Sequence, residues 1–154
     1  MKAIWRLIPP ISLIILAVFP TFAGGRILDL PTKIYVAPMV VRSKVISKAD
    51  AVILTEILIE NLPKYCWQIK SPNLMVSAPD SAAVTIYSTM IMSEVGRSKV
   101  SRYQITFIIS DKDKTKIVRE IFSGYGDPIY CFLQKVPHII KNQIEPAIID
   151  LFNP

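Results

Sequence analysis

Apolar and polar side chains alternate with a period of two through the middle of the chain. In residues 100–109, Tyr103, Ile105, Phe107 and Ile109 fall on one side and Arg102, Gln104 and Thr106 on the other, the pattern of a strand with one face in a core. Residues 83–94 are equally rich in Val, Ile, Thr and Tyr. They set Val84, Ile86, Met90 and Met92 against Thr85, Tyr87, Thr89 and Ser93. The turn Val95-Gly96-Arg97-Ser98-Lys99 between the two runs predicts a β-hairpin with one face rich in hydroxyls. After the polar turn 111–115, residues 116–123 (KIVREIFS) complete an antiparallel meander.

On either side of the meander the period changes. Residues 33–41 (KIYVAPMVV) are apolar on both alternating faces, which predicts a strand inside the sheet with Pro38 at its end or at a bulge. Ser47 and Asp50 form a capping box ahead of a broad stripe of Val52, Ile53, Leu54, Ile57, Leu58, Ile59 and Leu62. This is a buried helix of about four turns that ends against Pro63. Residues 66–70 (CWQIK) then read as a short strand, making a strand, helix, strand order that suggests a right-handed parallel crossover. Residues 71–81 are irregular, with a brief extended piece at 74–76. Near the C-terminus Asp127 caps a second helix with Pro128 at its first position. Its stripe is Ile129, Phe132, Leu133, Val136, Ile140, Ile144 and Ala147. Pro137 should kink this helix, and Pro146 should end or bend it.

These elements add up to an α+β fold, a two-layer α/β sandwich. About five strands, in the order β-α-β-β-β-β-α, form a mixed sheet covered by two helices. The N-terminus adds an export signal: Lys2 and Arg6 without an acidic partner, an apolar run from Ile11 to Phe19, and the small-residue exit Thr21-Phe22-Ala23. The run is broken by Pro9-Pro10 and closed by Pro20, short of the roughly 20 residues a bilayer needs. The organisation expected is a signal peptide at 1–23 cut after Ala23, a linker at 24–32, and one envelope domain at 33–152. The mature protein then sits in the periplasm, where outer-membrane association is open to it. The net charge of +6 loses two positive charges with the signal, leaving a mild basic excess. The Lys and Arg residues lie in predicted turns without interleaved aromatics, which argues against nucleic acid. Solvated turns account for them. An acidic protein face, peptidoglycan or the inner leaflet of the outer membrane is the sharper reading. Cys66 and Cys131 are an even pair in an exported chain and are expected to form a disulfide, with two buried free thiols as the other reading.

Several of these segments together resemble a known group. The opening KIYVAP, the helix ADAVILTEILIENLPKY, the hairpin arm and turn YQITFIISDKDKTKIVRE and the closing amphipathic helix resemble the N-terminal domain of the Tol-Pal propeller protein. The layout is similar to the curli-secretion-channel family and to the outer-membrane activators of penicillin-binding proteins. Those families close the second hairpin arm in an Asp-x-x-Thr-Gly turn. Here the matching turn is Ser110 to Lys116, with Asp111 one place farther from Thr115 and Lys116 where Gly is usual. No cysteine follows Ala23 as it would in a lipoprotein, no propeller follows the domain, and no membrane-inserting hairpin pattern is evident. The resemblance implies a protein-binding or ring-forming module of the cell envelope that works without catalysis.

The residues themselves name no reaction. His138 stands alone between apolar neighbours, Asp111 and Asp113 are interleaved with Lys112 and Lys114, and no nucleophile elbow, phosphate loop or metal-spaced cluster occurs. No enzyme, cofactor or metal site is therefore expected. The hydrophobic share of 51% exceeds what one small core is expected to hide. The reading is an accessory protein of an envelope assembly such as a secretion system, pilus, flagellar ring or Tol-like complex. It would bind envelope proteins, as a homo- or hetero-oligomeric ring or otherwise, through strand edges and the hydroxyl-rich face. The expected contact residues are Thr85, Tyr87, Thr89, Arg102 and Gln104 on that face, with Arg42, Lys44, Arg97 and Lys99 at the loop ends. An ordinary solvated antiparallel face is the plain alternative. The alternative function is a small-ligand or cell-wall binding or degrading protein, which needs a concave pocket lined by Tyr87, Tyr103, Arg102 and Glu94.

Overall fold

Three long strands carry the fold. β3 (Val84–Glu94), β4 (Val100–Ser110) and β5 (Thr115–Tyr125) form the antiparallel meander that the alternation predicts. Met92 lies opposite Tyr103, and Tyr103 opposite Phe122. The computed structural model describes residues 33–69, 78–94 and 100–152. The signal at 1–23, the linker 24–32, the piece at 74–76 and the hairpin turn with Arg97 and Lys99 lie outside the described residues.

The run at 33–41 is two strands, not one. β1 (Ile34–Val36) and β2 (Val40–Arg42) both pair parallel with β3, and exposed Pro38 falls in the break between them, where its missing N–H costs no ladder bond. The flanking donors are still used. Ala37 N donates to Ile86 O at 2.9 Å, and Met39 N donates to Thr55 Oγ1 at 2.9 Å. Thr55 in turn donates to Ala51 O at 2.7 Å, so a buried hydroxyl of the helix stands in for the missing strand partner.

That helix, α1 (Lys48–Tyr65), starts on the expected capping box. Ser47 N donates to Asp50 Oδ2 at 2.8 Å, and Asp50 N donates to Ser47 Oγ at 3.2 Å. Two expectations for it need correction. It runs past Pro63 to Tyr65, with Cys66 N donating to Leu62 O at 3.0 Å, because a proline this close to the end removes few of the remaining bonds. Its buried stripe is also narrow: Leu54, Leu58 and Leu62 are in the core, whereas Val52 and Ile53 face out. Residues 66–69 do not form the expected strand. Cys66 and Trp67 are irregular and Ile69 makes an isolated bridge. The segment is held instead by a side chain, with Gln68 N donating to buried Glu145 Oε1 at 2.6 Å. The parallel crossover from β2 through α1 therefore returns in β3.

The second helical element is one long rod. Asp127 caps α2 (Pro128–Ile139), its Oδ1 accepting from Ile129 N at 2.9 Å. A π-helical turn (Ile140–Ile144) leads into α3 (Glu145–Phe152). Pro146 does not end the rod. Its ring would crowd the carbonyl of Asn142 in regular α-geometry, and the turn just before it is the widened one, with Glu145 N donating to Ile140 O. Pro137 lies inside α2 without ending it.

α1 and the rod cover one face of the sheet. Between them lie Ile34, Val36, Val84, Ile86, Met90, Ile105, Phe107 and Ile109 from the strands and Leu54, Leu58, Phe132, Val136, Ile140 and Ile148 from the helices. Tyr103 stacks on Phe122 with ring centroids 5.1 Å apart. The architecture is the two-layer α+β fold with a five-stranded mixed sheet that the sequence predicts, but the element order is β-β-α-β-β-β-α in place of the expected β-α-β-β-β-β-α, because the first run is split into two strands and residues 66–69 form none.

Candidate interaction surface

The other face of the sheet is not covered by any described element. Residues on β3, β4 and β5 that face away from the helices form rows across the strands, set by the register. Tyr87, Ile108 and Ile117 make one apolar row. Ile91, Gln104 and Ile121 make another row four residues along, and Thr89, Thr106 and Arg119 lie between them. Ser93, Arg102 and Ser123 follow, while Thr85, Ser110 and Thr115 close the opposite end. The parallel register adds Val40 beside Thr89 and Arg42 beside Ile91. Three guanidinium groups, Arg42, Arg102 and Arg119, thus share the face, and no carboxylate stands on it among the described residues.

The expected contact residues are therefore gathered to a large extent. Thr85, Tyr87, Thr89, Arg102 and Gln104 lie on one face, with Tyr87 and Arg102 exposed and the other three half-buried. Arg42 belongs to the face itself. Lys44 is in the turn after β2, beside a cleft shared by Val45, Met92 and Glu94. The expectation of a hydroxyl-rich face left out the isoleucines Ile91, Ile108, Ile117 and Ile121, all exposed. Their signal was present in Met90-Ile91-Met92 and Phe107-Ile108-Ile109, where apolar residues occupy both faces of the strand in succession.

The pocket that the alternative function needs is not assembled. Tyr103 is fully buried against Phe122 on the helix side of the sheet, Tyr87 and Arg102 are on the opposite side, and Glu94 is at the end of β3. Strand alternation separates them. An apolar cleft of ≈ 340 Å³ does exist, lined by Pro38, Met39, Val41, Ile46, Ala51 and Val52 beside β2, but it contains none of those four residues.

Elsewhere the titratable groups have structural work. Asp111 Oδ1 accepts from Asp113 N at 2.8 Å and Lys114 N at 2.6 Å. These backbone donors hold its carboxyl below the usual range, and the pair with Asp113 is the turn it was read as. His138 is exposed, its Nδ1 2.8 Å from Asn142 Nδ2. No group of residues suited to holding a metal occurs among the described residues, and none of their helices is long and apolar enough to cross a membrane. The expected disulfide is not formed. Cys66 and Cys131 are both free and buried in different surroundings. Cys66 sits at the end of α1, where burial and then the nearby Glu145 charge push its thiol up to about 12. Cys131 packs against Gly124, with its Sγ 3.5 Å from Tyr125 O.

With this geometry in hand, comparison with known proteins gives a fold likeness. No family model and no curated protein matches the chain. Among solved structures, a PelC dodecamer from Paraburkholderia phytofirmans matches with TM-score 0.54 at 10% identity, over 71% of this chain and 84% of that one. An uncharacterized protein matches with TM-score 0.53 at 13% identity, over 75% and 90%. A hypothetical protein from Chlamydia trachomatis matches with TM-score 0.50 at 11% identity, over 76% and 97%. At such identities the likeness is one of fold.

Proposed function

We propose that this chain is a non-catalytic accessory protein of a cell-envelope assembly, exported through its N-terminal signal, that binds partner proteins through the uncovered face of its sheet. The observation that carries this reading is the composition of that face: isoleucine and tyrosine rows interleaved with Arg42, Arg102 and Arg119 and, among the described residues, free of carboxylates. Contiguous exposed apolar groups rimmed by polar ones mark interaction sites more often than inert surface. Arginine and aromatic residues are the types enriched where binding energy concentrates. The matching partner surface is apolar at its centre and acidic at its rim. The oligomeric state of PelC, one of the proteins of similar fold, agrees with a part played in an assembly.

The test is photo-crosslinking in intact producing cells from positions 87 and 108, with Glu56 on the exposed side of α1 as control. A specific adduct from the sheet face is expected. Arg102→Glu should weaken its formation roughly tenfold, about 1.4 kcal/mol for the reversal of one interfacial charge. Adducts no stronger than those from position 56 would overturn the reading, as would substrate turnover that a single substitution abolishes.

A further inference from the structure

The outer edge of β5 is a long stretch of strand backbone with no partner among the described residues. β5 pairs through its inner side with β4, in a ladder unbroken from Ser110–Thr115 to Val100–Tyr125. Natural sheets blunt such edges with proline, bulges, short strands or added charge, because an open edge recruits another strand. The opposite margin follows that rule: it is made of two three-residue strands divided by Pro38. β5 has no proline and no break. On its open face it carries Ile117, Ile121 and Tyr125 at 62, 50 and 72% exposure, each with a strand neighbour on the β4 side and, among the described residues, none on the other.

We infer that a second copy of this chain occupies this edge, the two β5 strands pairing antiparallel about a two-fold axis that passes through Ile121. A two-fold axis normal to the sheet reverses strand direction, so the junction is antiparallel, the stronger kind of ladder, and both helical layers stay on one side. Residues that meet across it must share a face, which restricts the centre of the register. A centre at Arg119 sets two guanidinium groups opposite each other, and a centre at Glu120 sets two carboxylates opposite; like charges directly opposed are destabilising. A centre at Val118 shortens the overlap and sets Arg119 against Ile117. A centre at Ile121 joins the strands from Ile117 to Tyr125. It places Ile121 on Ile121 of the second copy, Ile117 on Tyr125, and Arg119 on Ser123. Every apolar side chain of the open face then gains an apolar cross-strand neighbour, and no like charges meet.

Other arrangements of two copies fare worse. Stacking the uncovered faces would bring two sets of three arginines together with no acid between them among the described residues. Head-to-tail growth would have to use the short, proline-broken margin. The inference stands apart from the partner reading above, since Arg102 lies on β4 away from the seam.

The experiment is sedimentation velocity on the full-length chain as the producing cell delivers it. The wild type is expected to sediment as a dimer or a multiple of one. Ile121→Arg and Ile121→Glu should each halve the mass of the assembly, because each places like charges on the axis. Mixing the two in equal amounts should restore it, with native mass spectrometry showing one copy of each. A wild type that stays monomeric at high micromolar concentration overturns the inference, and so does an assembly indifferent to both substitutions. Failure of the mixture to reassemble, with both variants keeping the wild-type circular dichroism and melting, also overturns it.

Discussion

Gly124 lies on the core side of β5, and a Cβ built there would overlap Cys131 Sγ and come within 3.1 Å of Cys131 Cβ. Alanine at this position must push the N-terminal turn of α2 away from the sheet. Gly124→Ala is expected to cost about 1–3 kcal/mol, as overpacking of a filled core does, read from the urea midpoint. Cys131→Ala in the same chain should return part of that loss through the shared contact. Cys66 gives a prediction in pH. Its thiol, ordinarily at 9.0 and here raised to about 12, holds its proton more tightly in the folded chain. The resulting stability is complete below pH 9 and is lost as pH rises toward and through 12. In a Cys131→Ala background, alkylation of native Cys66 should stay slow between pH 9 and 12 and become fast in urea. Rapid native labelling at pH 9 would contradict the buried setting. The free thiols also show where single residues were illegible: two cysteines in a chain whose N-terminus reads as an export signal suggest a bond, but whether they meet depends on packing between distant elements.

At the level of elements, caps and alternation were readable and interruptions were not. Ser47 with Asp50, Asp127 with Pro128, and the alternation of β4 each act within a few residues, so local sequence carries them. By contrast, α1 passes Pro63, the C-terminal rod passes Pro137 and Pro146, and residues 66–69 form no strand beyond the isolated bridge at Ile69. Nearness to the helix end lets α1 pass Pro63, the π-helical turn accommodates Pro146, and at residues 66–69 a contact from elsewhere overrides the local rule. Glu145 supplies that contact, since its carboxylate replaces the strand partner that residues 66–70 were expected to find, accepting from Gln68 N at a distance of 77 residues along the chain. Glu145→Ala should therefore cost about 1–3 kcal/mol by leaving a donor unpaired and should speed hydrogen exchange of the Gln68 amide. Glu145→Gln keeps the acceptor oxygen and should cost less. Equal losses from the two substitutions would show that the carboxylate charge, and not the hydrogen bond, holds the segment.

For the molecule as a whole, the two-layer arrangement was legible because the meander and two amphipathic helices leave few other ways to bury their apolar sides. The makeup of the uncovered face was only half legible. Thr85, Tyr87, Thr89 and Arg102 followed from alternation, whereas Ile91 and Ile108 were hidden in apolar runs that read as core. A face covered by helices would make those runs a fully buried strand, and only the layer count decides between the two. The mild positive charge of the chain likewise acquires meaning from placement: Arg42, Arg102 and Arg119 come from three separate strands and meet on one side of the sheet.

The break at Pro38 has a consequence for how far such a molecule can assemble. A sheet whose margins were both receptive could add subunits without end, as fibrils do. Here one margin is cut into short pieces by a proline and the other is long and continuous. In the pairing inferred for β5, joining two receptive margins would leave only the interrupted ones outermost among the described strands, so growth along the sheet would terminate at a pair and the chain would be guarded against polymerising through its own strands.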